Sequence, residues 1–167
     1  MCARRRLYGF EEVAELLNVC WLEIRGRLDT RLLSQQTKYA AYLVFNLAES
    51  SHGLDYPPQE TSVKLGAHVS SHTTRLQIPE IEYDWTENEL SDHSGSDDYE
   101  DQAFQIRETQ SSTEVVSRED RWMEIELGEF DTDCGDDGEV EMSFMGIKGG
   151  HWKRGLIVQG IEIRPRK

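Results

Sequence analysis

The stretch "RWMEIELGEF", residues 121–130, sets Met123, Ile125 and Leu127 at alternate positions, with Trp122, Glu124 and Glu126 between them. Successive side chains of a strand point to opposite faces, so the stretch reads as a strand with one apolar and one polar face. The same period recurs on either side of it. In "CWLEIRGRL" (20–28), Leu22, Ile24, Gly26 and Leu28 alternate with Glu23, Arg25 and Arg27, and Trp21 falls on the polar side. In "EVEMSFMGI" (139–147), Val140, Met142 and Phe144 share a face. The turn-rich link "DTDCGDDGE" (131–139) predicts that the strands flanking it form a hairpin or a neighbouring pair.

Further from this stretch, "KYAAYLVFNLA" (38–48) is apolar on both faces and rich in aromatic and β-branched residues, which predicts a strand in the middle of a sheet. "GLDYPPQ" (53–59) ends it, because two prolines cannot feed a ladder, and "TSVKLGAHV" (61–69) offers one further strand. After "KGGHWKRG" (148–155) comes a last strand in which Ile157, Gln159, Ile161 and Ile163 share a face until Arg164 and Pro165 end it. In "FEEVAELLNV" (10–19) the apolar residues Phe10, Val13, Ala14, Leu16 and Leu17 fit one face of a short helix, with Glu11 and Glu12 in its first turn. From about Gln77 to Ser117 the chain turns acidic, serine-rich and poor in aliphatics, the composition of a long loop. The expected fold is an all-β sandwich with one short N-terminal helix and a long acidic loop.

At 167 residues the chain has room for one domain with a substantial core. Its net charge of −14 argues against a nucleic-acid partner, since neutralising phosphates needs a basic stripe. Much of the excess acid lies between Glu80 and Asp101, a stretch without lysine or arginine. No apolar run approaches the ~18 residues of a membrane span. The N-terminus lacks an apolar signal core, which sets the expectation of an intracellular protein. Cys2, Cys20 and Cys134 are widely spaced and read as reduced thiols.

Four blocks taken together, "EVAELLNVCWLEIRGRLDTRLLSQQTKYAAYLVFNLA", "RWMEIELGEF", "GEVEMSF" and "KGGHWKRGLIVQGIEIRPRK", resemble the plant phloem protein 2 family, and within it the branch usually attached to an F-box. The resemblance covers residues 9–167, with the insertion at about 77–117 and residues 1–8 as an N-terminal extension. It implies a jelly-roll-like β-sandwich in the cytoplasm and nucleus that binds N-acetylglucosamine oligomers or the cores of N-glycans, without a cofactor. Relatives carry an aromatic-rich segment upstream of "EVAELL", and part of the family's sugar site lies on its tryptophans. Here "EVAELL" begins at Glu12, so neither that segment nor an F-box is expected before it, and the site is expected to be compromised. An exposed sheet edge left by the missing segment would favour a homo-oligomer. Relatives also often carry glutamate where this chain has Gly146. The other reading is a protein-interaction domain, the substrate-recognition half of an F-box ubiquitin-ligase adaptor that has lost its F-box.

Sugars are bound by aromatic faces that cover the C–H side of the ring, with polar groups pairing its hydroxyls. Trp152 follows two glycines and has His151 and Lys153 beside it, so it reads as a platform or as a loop tryptophan closing the core. Trp122 shares a face with Glu124 and Glu126, as a sugar platform or as a cover over the outer sheet. Glu139 and Glu141 face outward together, as acceptors or as solubility residues. The expected carbohydrate surface is therefore Trp152, Lys153, Trp122, Glu139 and Glu141, the tryptophans stacking and the polar groups orienting. Trp21 fits a solvated face, and Trp85 either anchors a partner or pins the insertion.

No catalytic residues are expected. A retaining glycosidase needs carboxyls about 5–5.5 Å apart, whereas Glu124 and Glu126, as same-face strand neighbours, would lie ~7 Å apart and solvated. Motifs such as GxSxG, HExxH or a P-loop are lacking. A metal is not expected either. "DTDCGDDGE" misses the later ligands of a calcium loop, and His68 and His72 lie in a serine-rich stretch that is not helical.

Overall fold

The computed structural model describes residues 3–8, 10–76, 112–119, 122–132 and 138–166. These form eleven strands: β1 (Ala3–Tyr8), β2 (Phe10–Leu16), β3 (Leu22–Asp29), β4 (Lys38–His52), β5 (Gln59–Leu65), β6 (His68–Thr74), β7 (Ser112–Thr113), β8 (Val116–Ser117), β9 (Met123–Asp131), β10 (Glu139–Gly146) and β11 (Arg154–Pro165). One sheet has the order β1-β2-β11-β4-β9-β8 and the other β3-β10-β5-β6-β7. Neighbours are antiparallel except β6 and β7. The chain is thus an all-β sandwich, as its alternation predicts. The core lies between the sheets, with Leu22, Val63, Val140, Met142 and Phe144 from one and Leu43, Phe45, Ile125, Leu127 and Leu156 from the other.

As the two-faced apolar pattern predicts, β4 is central, paired with β11 along one edge and β9 along the other. Its odd-numbered residues Tyr39, Ala41, Leu43 and Phe45 enter the core. On the opposite face Val44 joins Val13, Trp122 and Ile157 in a second, smaller apolar cluster.

That second cluster explains why the expected helix is instead β2. Val13 packs in the outer cluster and Leu16 in the core. In a strand these two positions point to opposite faces, and here each meets apolar neighbours. A three-residue spacing that serves two faces of a strand is indistinguishable in sequence from one face of a helix. Residues 3–8, expected as an extension, form β1 and pair with β2 in register, Arg4 opposite Glu15 and Arg6 opposite Val13.

Three further differences follow from how strands are joined. "TSVKLGAHV" is a hairpin rather than one strand: Leu65 pairs with His68 across Gly66, whose φ is +57°. The strands on either side of "DTDCGDDGE" are not a pair, for β9 belongs to one sheet and β10 to the other, between β3 and β5. Alternation tells which face of a strand is apolar and is the same whether the partner lies beside it or across the core. Residues 133–137 of that link lie outside the described residues.

In the last strand, the shared face expected of Ile157, Gln159, Ile161 and Ile163 is broken by a bulge. Val158 pairs with Phe45 and Gly160 with Val44, leaving Gln159 as the extra residue. Leu156 and Val158 therefore face the core before the bulge, Ile161 and Ile163 after it, and Ile157 falls in the outer cluster. A second bulge in β9 leaves Leu127 between Gly128, opposite Ala41, and Glu126, opposite Tyr42. Gly128, at φ +149°, is required there: a Cβ would sit 2.9 Å from Ser70 Oγ and 3.1 Å from Val63.

Residues 77–111 of the expected acidic loop, with Trp85 among them, lie outside the described residues, while β7 and β8 occupy its C-terminal end. Among the described residues no helix is long and apolar enough to cross a membrane.

Phe144 is wholly buried between the sheets. Phe144→Ala should destabilise the fold by about 3–5 kcal/mol, measured by urea unfolding.

Candidate functional site

Among the described residues, three large aromatic side chains stand out of the surface: Trp21 at 63% exposure, Tyr56 at 63% and Trp152 at 58%. They come from three separate stretches: the residue before β3, the β4–β5 loop and the segment before β11. Backbone and buried side chains bring these stretches to one end of the sandwich.

The first link is a two-way bridge. Val19 N–H donates to Lys153 O (2.9 Å), and Lys153 N–H donates to Val19 O (2.7 Å). Because the bridge is antiparallel, Cys20–Trp21 and His151–Trp152 leave it side by side. The Lys153 side chain adds a second link. It is 0% exposed, and its Nζ donates to Cys20 O (3.1 Å) and His151 O (3.0 Å). Each of those carbonyls belongs to the residue before an exposed tryptophan. Among the described residues the ammonium has carbonyl acceptors and no carboxylate partner, and burial pushes its pKa below the ordinary lysine value, the nearby Cys20 acting the other way.

Glycines set the β4–β5 loop against the same segment. Gly53 has φ +71°, and a Cβ there would run into the Trp152 carbonyl oxygen. Gly155, at φ +80°, lies against the Ser51 backbone, where a Cβ would come within 2.6 Å of Cα. Buried Gln59 holds the loop from below, its Nε2 donating to Pro57 O (2.8 Å). The Tyr56 ring lies 6.2 Å from the His151 ring at an angle of 60°. An ion pair between Lys148 and Glu60 (2.5 Å) closes the border of this end. These links bring the stretches bearing Trp21, Tyr56 and Trp152 to one end of the sandwich, with His151 beside Tyr56.

The five residues expected to form a ligand surface do not converge. Trp152 lies in this aromatic end, exposed. Lys153 is beneath it, with its ammonium turned onto backbone carbonyls. Trp122 is 7% exposed and packs with Val13, Val44 and Ile157 on the outer face of the other sheet. Glu139, exposed, and Glu141, half-buried, lie on the outer face of the five-stranded sheet, and Arg27 holds them at 3.6 and 3.1 Å. They stand seven and five residues before Gly146, the β10 residue that pairs with Leu22. At about 3.3 Å a residue, that is roughly 23 and 17 Å along the strand.

Trp21, expected on a solvated face, is one of the exposed rings, and its Nε1 reaches Glu23 Oε2 at 3.5 Å. Tyr56 was hidden by the prolines that follow it, which mark a turn whatever the tyrosine does. Alternation gave no signal for Lys153: Trp152 is exposed and Leu156 buried although they lie four residues apart, because the register shifts between Arg154 and Leu156. Glu124 is also not solvated as expected. Arg164 (2.7 Å) and Arg118 (3.6 Å) enclose it, while Arg166 takes Glu126 (3.0 Å), so these carboxylates are engaged in a charge network.

Gly53→Ala should displace the Trp152 backbone and lower the melting temperature clearly more than an alanine substitution at the exposed Ser50, as differential scanning fluorimetry will show. Lys153 gives a pH dependence of known sign. Its folded-state pKa lies below its unfolded value of 10.5. Between the two the unfolded chain binds more protons, so this group's contribution to stability rises with pH across that interval. The stability of the wild type relative to Lys153→Met should therefore increase as the pH approaches 10.5, measured by parallel urea melts.

The profile of the phloem protein 2 family matches residues 4–165. Among curated relatives, the putative F-box protein PP2-B2 of Arabidopsis thaliana is 41% identical over 158 residues, which is 95% of this chain and 44% of that protein. The putative F-box protein PP2-B12 is 42% identical over 159 residues, 95% of this chain and 50% of its own length. The F-box protein VBF is 37% identical over 169 residues, 94% and 56%. The chain thus spans about half the length of the curated relatives it matches. With every strand inside the matched span but for Ala3 at the start of β1, the chain belongs to the phloem protein 2 family.

Proposed function

We propose that this chain is a non-catalytic carbohydrate-binding domain of the cytoplasm and nucleus, and that its aromatic end takes oligomers containing N-acetylglucosamine. The observation that carries the reading is the gathering of Trp21, Tyr56 and Trp152 at one end of the sandwich, all more than half exposed. An isolated exposed tryptophan is ordinary, but three large rings held out by a built framework are a patch with a use. Indole and phenol faces cover the C–H side of a pyranose ring, and the rim beside them pairs its hydroxyl and acetamido groups. His151 supplies a polar partner beside Tyr56. The choice of N-acetylglucosamine rests on the family resemblance. Trp152 remains in the proposed ligand surface, joined by Trp21 and Tyr56.

Isothermal titration with triacetylchitotriose tests this. The wild type should show saturable binding, and Trp152→Ala should abolish it while changing stability by no more than about 0.5 kcal/mol, as for an exposed residue. A Trp152→Ala protein that keeps both its melting temperature and its affinity removes Trp152 from the site.

A second reading has its own support, because the relatives bear F-box names and this chain matches about half of each. In it, the aromatic end recognises a protein rather than a glycan. Capture of plant proteins that persists in excess triacetylchitotriose favours this second reading, and capture that vanishes favours the first.

A further inference from the structure

We propose that Lys153 is the positioning residue of the aromatic end: its buried ammonium fixes the Trp21 and Trp152 segments to one another and so sets the spacing of their rings. This deepens the carbohydrate-binding reading, and its test also stands without it. Two exposed rings can be held by packing under them or by fixing the backbone they hang from. Rings that are more than half exposed have little packing beneath, so the backbone must carry the constraint. The regular ladder leaves that stretch thinly supported, with a single isolated bridge, Val19 to Lys153, joining it.

Lys153 Nζ adds two charge-assisted hydrogen bonds across the same gap, one to each segment, at Cys20 O and His151 O. No other side chain bonds both segments among the hydrogen bonds of the described residues. The site is shaped to admit the lysine. A Cβ on Gly146 would lie 3.2 Å from Lys153 Cε, 3.3 Å from Gln59 Cγ and 3.5 Å from Leu22. The absent side chain at Gly146 thus leaves room for both Lys153 and Gln59 under the aromatic end. Gln59 holds the Tyr56–Pro57 loop from the same floor, so the three rings share a polar support made of two wholly buried side chains.

This arrangement separates positioning from stability. Burying an ammonium without a carboxylate carries a desolvation cost, and an apolar side chain of similar shape avoids it. Lys153→Met keeps the stem and removes the donor. It should melt at or above the wild-type temperature while the rings lose their fixed spacing. A residue that only filled space would show the two properties falling together.

The experiment uses protein labelled with 5-fluorotryptophan, each ¹⁹F signal being assigned by single Trp→Phe substitution. In Lys153→Met the Trp21 and Trp152 signals should both shift and broaden while the Trp122 signal, from the far cluster, stays in place. Affinity for triacetylchitotriose should fall about tenfold or more, equivalent to about 1.4 kcal/mol, and Lys153→Arg should restore part of it. If the Trp21 and Trp152 signals of folded Lys153→Met keep their wild-type positions and widths, the proposal is overturned, whatever happens to sugar binding. If the wild type binds no triacetylchitotriose but the two signals still move together, the carbohydrate reading fails and the positioning role stands. Should Lys153→Met not fold, Lys153→Gln is read in the same way. If neither variant folds, Lys153 is a core residue, and the positioning role is refuted.

Discussion

The central strand, β4, is hydrogen-bonded along both edges and apolar on both faces, and the rest of the sandwich is arranged to satisfy it. Along its edges β9 and β11 carry the other ends of the chain's backbone ladder. One face meets the five-stranded sheet across the main core. The other face would be an exposed apolar surface on its own, and Val13, Trp122 and Ile157 close over Val44 there. Each of these residues pays no service to the interior between the sheets. They exist as apolar residues because a strand this deep in the fold has two sides to cover.

That double burial decides what could be read from sequence. Strands with one wet face, β3 and β10, print their orientation directly, since Glu23, Arg25 and Arg27, or Glu139 and Glu141, stand between apolar neighbours. Strands that serve two apolar faces do not. Val13 and Leu16 look like one stripe of a helix because Glu11, Glu12 and Glu15 fall together on the opposite side of a helical turn. Ile157 looks like a core partner of Ile161 because the bulge at Gln159 carries no compositional mark. Sheet membership was equally hidden: β9 and β10 have the same inward pattern as a hairpin, yet face each other across the core.

The candidate site was legible in part for the same reason. Trp152 beside two glycines announces a loop with an aromatic tip. Tyr56 and Trp21 do not announce themselves, because their partnership with Trp152 is made by pairing between stretches far apart in the chain, Val19 with Lys153 and Gly53 with Trp152. Lys153 was taken for a surface donor on chemical type alone. A long aliphatic stem with a charged head normally points to water. Here the backbone offers two carbonyls at the right depth, and the head turns inward to meet them.

The bulge at Gln159 bears on how this domain tolerates changes in length. Before it, β11 presents even-numbered residues to the core, and after it odd-numbered ones, so the strand carries two phases joined by one extra residue. Losing a residue from the C-terminal half would turn Ile161 and Ile163 outward, and gaining one in the N-terminal half would do the same to Leu156. Loss of Gln159 itself is the exception: it would remove the bulge and leave Leu156, Val158, Ile161 and Ile163 at alternate positions of one regular strand. Insertions and deletions in descendants of this domain should therefore accumulate in the connections and spare β11 on both sides of Gln159, where the counting cannot slip.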